Sequence, residues 1–168
     1  RSTLLRSRRQ RQMCIRDRSK SSSTGAGART RARELMVQAL YQKQIAGHTT
    51  SELIAQYQDD TAYQRVDQAF FNELFPQISD GQEDLEKKID ALIDRPLEQL
   101  DPIELSILLI GVHELETRVD IPYKVVINES VNLAKRFGAL DGHKYINACL
   151  DVAAKSLREV EVQSKTGG

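Results

Sequence analysis

The segment from Asp101 to Leu115, D-P-I-E-L-S-I-L-L-I-G-V-H-E-L, constrains the fold more than any other. Asp101 is a capping residue type, and Pro102 suits a first helical position, where no N–H is needed. Ile103, Ile107, Ile110 and Leu115 follow at helical spacing, and from Ile107 to Val112 the helix is apolar nearly all round. A helix without a polar face must be enclosed on every side. That apolar run is far shorter than the roughly 20 residues that cross a bilayer. Other helices of the same chain must therefore supply the enclosure.

The remaining sequence offers such helices. The first is expected over about Arg31 to Ala46, stopped by Gly47, with Ala32, Leu35, Met36, Ala39 and Leu40 as its apolar stripe. A second starts near Thr50 or Ser51 and uses Leu53, Ile54 and Tyr57. A third carries Val66, Phe70, Leu74 and Ile78; Ser79-Asp80-Gly81 then either breaks it or bends it before Leu85, Ile89, Leu92 and Ile93. Asp120-Ile121-Pro122 opens a helix bearing Val126, Ser130, Leu133 and Phe137, which Gly138 ends. Asp141 caps a last helix with Ile146, Leu150, Ala153 and Leu157. No sustained alternation and no turn dipeptide between β-branched runs points to a strand. The fold class expected is all-α, a compact bundle of about seven helices, with a polar, disordered tail over residues 159–168.

The formal net charge of +0 hides two opposed halves. Residues 1–33 hold ten Arg and one Lys against the single acid Asp17, a net +10, while residues 34–168 hold 13 basic against 23 acidic residues, a net −10. A basic arm on an acidic body suggests an anionic polymer as partner, usually nucleic acid. Residues 1–28 show no apolar period and are expected to be disordered; Ser19 to Gly27 has linker composition. The same stretch is Arg- and Ser-rich and acid-poor, as organelle transit peptides are. Its string from Arg9 to Arg18 also resembles translated sequencing-adapter sequence, so the leader is assigned no function. Only two cysteines occur, Cys14 and Cys149, which fits a reducing compartment and neither a disulfide framework nor a cysteine-rich metal site. The cytoplasm is the expected location.

Enzymatic machinery is missing from the pattern, so no catalytic residue is expected. No Gly-rich phosphate loop and no G-x-S-x-G elbow occurs. His113-Glu114 opens like a metalloprotease helix, but Thr117 stands where the second His must be. His48 and His143 have no partner at ligand spacing. No metal and no cofactor is expected.

Three places look like a binding surface. Arg29-Thr30-Arg31-Ala32-Arg33 enters the first helix, where cations oppose the helix dipole and an anionic ligand would relieve that. Guanidiniums clamp phosphates and stack on bases. Asp141-Gly142-His143-Lys144-Tyr145 opens the last helix: Lys144 adds charge and Tyr145 a stacking face, or else Asp141 is only a cap and Tyr145 only core. Tyr41 follows Arg33 and Val37 at i, i+4, i+8, and either extends the arginine face or is buried.

These residues resemble the NusB transcription antitermination factor family. Arg31-Ala32-Arg33-Glu34 with Val37-Gln38-Ala39-Leu40-Tyr41 is similar to the family's start. Pro122 to Glu129, P-Y-K-V-V-I-N-E, with Leu133-Ala134-Lys135 and Phe137-Gly138, is similar to its most recognisable segment. Lys144-Tyr145-Ile146-Asn147 with Leu150-Asp151 is similar to its last helix, where Phe often replaces Tyr. The resemblance covers about Arg29 to Leu157 and implies two small helical subdomains, within a domain of residues 29–158. It implies binding of the boxA element of ribosomal RNA transcripts together with NusE, a small-subunit ribosomal protein. It also implies assembly with other Nus factors and RNA polymerase, suppression of premature termination and help in ribosomal RNA maturation.

By position, the RNA face it implies includes Arg29, Arg31, Arg33, Tyr41, Asp141, Lys144 and Tyr145, and the NusE face includes Glu104. Thr30 departs from the pattern, since many relatives carry another Arg there. Glu104 also stands three residues after Asp101, where a capping-box Glu belongs. An acidic body would attract a basic ribosomal protein and repel RNA from all but the arginine end. A NusB-like domain also occurs ahead of an RNA methyltransferase, so a fragment of such an enzyme is the rival reading. A homodimer that hides its arginines until NusE or RNA arrives is another.

Overall fold

The computed structural model describes residues 25–166, and among these every regular element is helical: eight α-helices and two short 3-10 turns. The basic leader through Thr24, Cys14 with it, and the two final glycines lie outside the described residues. The chain divides into two units, with the boundary at Asn72–Glu73.

The first unit contains α1 (Gly25–Ala46), α2 (Thr50–Gln58), a 3-10 turn (Thr61–Arg65) and the start of α3 (Gln68–Asp80). α1 begins earlier than expected and takes in Gly25 to Ala28, where composition pointed to disorder. Its inner face is wider than the stripe suggested: every residue from Ala32 to Leu40 is buried, the polar Arg33, Glu34 and Gln38 included. Gly47 ends the helix at φ +72°, and its N–H bonds the Lys43 carbonyl at 2.9 Å, a stop that suits a residue without a β-carbon. The cap of α2 is Thr49, not Thr50 or Ser51. Thr49 Oγ1 accepts from the Glu52 N–H, and Glu52 accepts from the Thr49 N–H, a reciprocal capping box. Tyr57 of α2 is fully buried and donates its hydroxyl to Gln42 Oε1 at 3.0 Å.

Asp67 ties the ends of α1 and α3 together. Its N–H donates to the Ala28 carbonyl at 2.9 Å, and its Oδ1 caps α3 by accepting from the Phe70 N–H at 3.0 Å. Val66, expected inside this helix, instead ends the preceding 3-10 turn.

The second unit holds the rest of α3, then α4 (Gln82–Asp90), a 3-10 turn (Leu97–Gln99), α5 (Pro102–Thr117), α6 (Tyr123–Phe137), α7 (Gly142–Leu157) and α8 (Glu159–Thr166). Gly81 breaks the chain between α3 and α4 rather than bending one helix. α5 is the central helix: it is buried at Ile103 and without interruption from Leu105 to Leu115, and packs on α4, α6 and α7. Gly111 sets how close they come. A β-carbon there would stand 2.9 Å from a Leu150 methyl on α7 and 3.1 Å from Ser130 Oγ on α6. Asp101 caps α5 as expected, accepting from the Ile103 N–H at 2.7 Å.

The tail corrects the sequence expectation, because residues Glu159–Thr166 form α8. The buried Arg158 organises it. Its guanidinium donates to the carbonyls of Glu114, Leu115, Arg118 and Ile121, satisfying the C-terminal end of α5, and pairs with Glu161 at 2.7 Å. Glu161 also accepts from the Tyr123 N–H at 2.9 Å. α6 thus receives its cap from the tail, whereas Asp120, the expected start residue, pairs with Arg118.

Candidate nucleic-acid interface

The first candidate group lies at the entry to α1. Because α1 begins at Gly25, Arg29, Arg31 and Arg33 fall in its second and third turns, beyond the first turn where the expected opposition to the helix dipole acts. Arg29 and Arg33 are one helical turn apart and share Phe70 of α3: their guanidinium carbons lie 5.0 and 4.9 Å from its ring centroid. Each contact is a cation–π interaction that fixes a flexible cation. Arg29 also pairs through Nε with Asp67 Oδ2 at 3.4 Å, and its side chain stays 37% exposed. Arg31 is half-buried.

Arg33 differs, being only 3% exposed. Arg33, which the resemblance puts on the RNA face with Arg29 and Arg31, is buried in the packing instead. Its cation is enclosed in packing, whereas Arg29 and Arg31 are half-buried. Tyr41 shares a helix face with the buried Arg33 and Val37 and is itself half-buried, so its ring belongs at least partly to the packed side of α1.

The second group lies in the other unit, at the start of α7. Asp141 holds the position before the helix, but its side chain makes no capping bond. Its backbone sits in the left-handed region at φ 68°, an uncommon conformation for a residue with a β-carbon. The side chain turns instead to Lys144 Nζ, 3.5 Å away. Both are well exposed, so the pair is weak and open to competition by a ligand.

Tyr145 is half-buried. Its hydroxyl points inward, and burial pushes its phenol up to about 12. One face of its ring is covered by Arg95, whose guanidinium carbon lies 4.1 Å from the centroid. Sequence reasoning missed Arg95, which stands in the turn between α4 and α5 and shows no periodic or motif signal.

Glu104 joins this second group. Its Oε1 lies 2.9 Å from where a β-carbon on Gly142 would stand. Burial pushes its carboxyl above the ordinary value, the nearby Asp101 adds to that, and Arg95 opposes it. The capping-box alternative is not realised, since the α5 cap is made by Asp101 alone. The residue expected to face a protein partner thus adjoins residues expected to face RNA.

His113, buried on α5, bonds through Nε2 with Gln77 Oε1 at 3.0 Å, and burial lowers its pKa. Among the described residues no cluster of His, Cys, Asp or Glu could hold a metal ion, and no helix is long and apolar enough to cross a membrane.

The chain matches the NusB family over residues 30–155. It is 44% identical over 133 residues to the transcription antitermination protein NusB of Pseudomonas syringae pv. tomato, covering 79% of this chain and 81% of that protein. The protein of the same name from Marinobacter nauticus is 40% identical over 134 residues, covering 80% and 85%. A solved structure, T. maritima NusB, superposes with a TM-score of 0.67 over 75% of this chain and 89% of that one; at 23% identity it speaks for the fold alone.

Proposed function

The chain belongs to the NusB family, and from that premise we propose that it is a transcription antitermination factor of the cytoplasm. It binds the boxA element of ribosomal RNA transcripts together with the ribosomal small-subunit protein NusE. With other Nus factors it joins RNA polymerase, suppresses premature termination and assists ribosomal RNA maturation. Its relatives are named for antitermination, a binding function rather than a reaction. They are matched over 81% and 85% of their own length, which leaves no room in them for a methyltransferase domain.

One observation carries the reading. Arg29 is held over Phe70 near Arg31 in the second turn of α1. A side chain fixed in that way loses little freedom on meeting an anion. Arg33 supports the site from within the packing rather than contacting phosphate. The start of α7 adds Lys144 for phosphate and Tyr145 for stacking chemistry. Asp141, a carboxylate, suits the donors of a base or ribose and not a phosphate.

The acidic body repels RNA elsewhere, so binding is weak alone and tighter when a basic ribosomal protein covers part of it. The test is titration of boxA RNA with the chain, with and without NusE. Tighter binding in the presence of NusE is expected. Equal affinity for boxA and a scrambled RNA in both states would overturn the boxA assignment.

A further inference from the structure

We propose that Asp67 is a positioning residue for RNA binding: it fixes where the Arg29 cation stands and so strengthens the hold on a phosphate, although its own charge repels one. The inference rests on the RNA-binding reading above and adds to that site a residue that no motif pointed to.

Three contacts converge on Asp67. Its N–H donates to the Ala28 carbonyl at 2.9 Å, which fixes the backbone of α1 immediately before Arg29. Its Oδ1 accepts from the Phe70 N–H at 3.0 Å, which fixes the start of α3 and with it the ring that meets Arg29 and Arg33. Its Oδ2 accepts from Arg29 Nε at 3.4 Å. One residue therefore holds the cation, the backbone that carries it and the ring it packs on. The bond runs through Nε, which carries a single N–H, so it leaves the donors of both terminal nitrogens for a phosphate, which accepts a side-by-side pair.

A structural role accounts for only part of this arrangement. The cap on α3 and the tie to Ala28 use Oδ1 and the N–H alone. The remaining contact, to Arg29, joins side chains that are 37% and 29% exposed, and such pairs contribute little to stability. Charge alone accounts for it no better, since a carboxylate beside a phosphate site weakens binding. What the pair supplies is order: a long cation already held in place loses less freedom when an anion arrives.

Asp67→Asn separates these roles. Asparagine caps a helix as well as aspartate does, while the carboxylate on Arg29 Nε is lost. The test measures boxA RNA affinity with NusE for four full-length chains: the parent, Asp67→Asn, Arg29→Ala and the double variant. The basic leader is common to all four. Asp67→Asn is expected to weaken binding about three- to tenfold, the scale of ordering one long side chain, and to flatten the salt slope by up to about 0.7, one phosphate contact. In the Arg29→Ala background the same substitution should cause no further loss, because the residue it positions is gone. Asp67→Ser, a different cap, should reproduce both results, and circular dichroism confirms that each variant is folded.

Tighter binding by Asp67→Asn would show that the acid acts by repulsion only. Unchanged binding would show that it does not order Arg29. An equal loss with and without Arg29 would show that it acts through the fold. Each of these overturns the proposal and leaves the RNA-binding reading standing. If Arg29→Ala itself binds like the parent, the RNA-binding reading fails at α1 and the proposal falls with it.

Discussion

Glu104 on α5 and Gly142 at the head of α7 are in contact, with the carboxylate Oε1 2.9 Å from where a β-carbon of residue 142 would stand. A residue with a side chain could not sit there without displacing the acid. Arg95 links the two sides of this neighbourhood, acting on both Glu104 and Tyr145, so protein-partner and RNA contacts made there would be coupled rather than independent.

The protonation of Glu104 tests that contact. Burial and the Asp101 charge raise its folded-state pKa above the ordinary 4.5. The folded state then holds the proton more tightly than the unfolded chain, so the stabilising contribution is complete at low pH. It is lost as pH rises from the ordinary carboxylate value through the raised folded one. Glu104→Gln should melt at a slightly higher temperature than the parent at pH 7, with the gap closing in acid. NusE affinity should fall in the same variant. A melting difference independent of pH would show that Glu104 is not strained by burial, and unchanged NusE affinity would remove it from the partner surface.

Asp141 predicts a different separation. It makes no cap bond and sits at φ 68°, a region asparagine tolerates as readily. Asp141→Asn should therefore change stability by no more than about 0.5 kcal/mol in denaturant melts. Altered discrimination between boxA and scrambled RNA would assign Asp141 a direct base or ribose contact. Unchanged discrimination would leave it only the exposed pair with Lys144.

Arg158 predicts the largest loss of stability. It is buried and serves four backbone carbonyls besides Glu161. Arg158→Met leaves those groups and the Glu161 charge unanswered, and breaking a buried pair in this way costs about 3–5 kcal/mol. Glu161→Gln keeps an acceptor for the Tyr123 N–H and should cost only about 1 kcal/mol. Denaturant unfolding of both variants checks the ranking; equal small effects would mean that α8 is not docked through Arg158.

What the sequence displayed and what it hid follow the nature of the contacts. The central position of α5 was legible because enclosure on all sides is written as an unbroken apolar run from Ile107 to Val112. α8 was not, since it is held by the polar pair Arg158 and Glu161 and has no apolar stripe; Val160 is 83% exposed. Gly81 left break and bend equally open because glycine permits both. Arg33 reads as a cation of the same kind as Arg29 and Arg31, and its burial, with Phe70 of α3 against its guanidinium, comes from residues distant in sequence. Arg95 carried no signal, because its meaning arises from Tyr145, distant in sequence and on another element. The motifs placed the start of α7, but the left-handed backbone of Asp141 could not be read from its residue type.

The arginines at the start of α1 allow the sharpest test, provided they are separated. Arg29 and Arg31 remain partly exposed, whereas Arg33 is 3% exposed over Phe70. Arg33→Ala should destabilise the first unit by about 1–2 kcal/mol, the scale of a desolvated cation–π contact with its packing. Any loss of RNA binding it causes is then partly a folding effect. Arg29→Ala with Arg31→Ala should leave the melting temperature near that of the parent and weaken boxA and unrelated RNA alike, because phosphate contacts carry no sequence information. Each phosphate contact on a single strand adds about 0.7 to the slope of log affinity against log salt, so losing two should flatten the slope by about 1.4. The leader holds eight further basic residues among residues 1–20. The comparison is therefore made both in the full chain and in a chain starting at Gly25, so that nonspecific attraction by the leader does not mask the difference. NusE binding measured without RNA should stay at the parental level. An unchanged salt slope in the shortened pair would show that these two guanidiniums do not touch phosphate, and the RNA face of the first unit would have to be sought elsewhere on it.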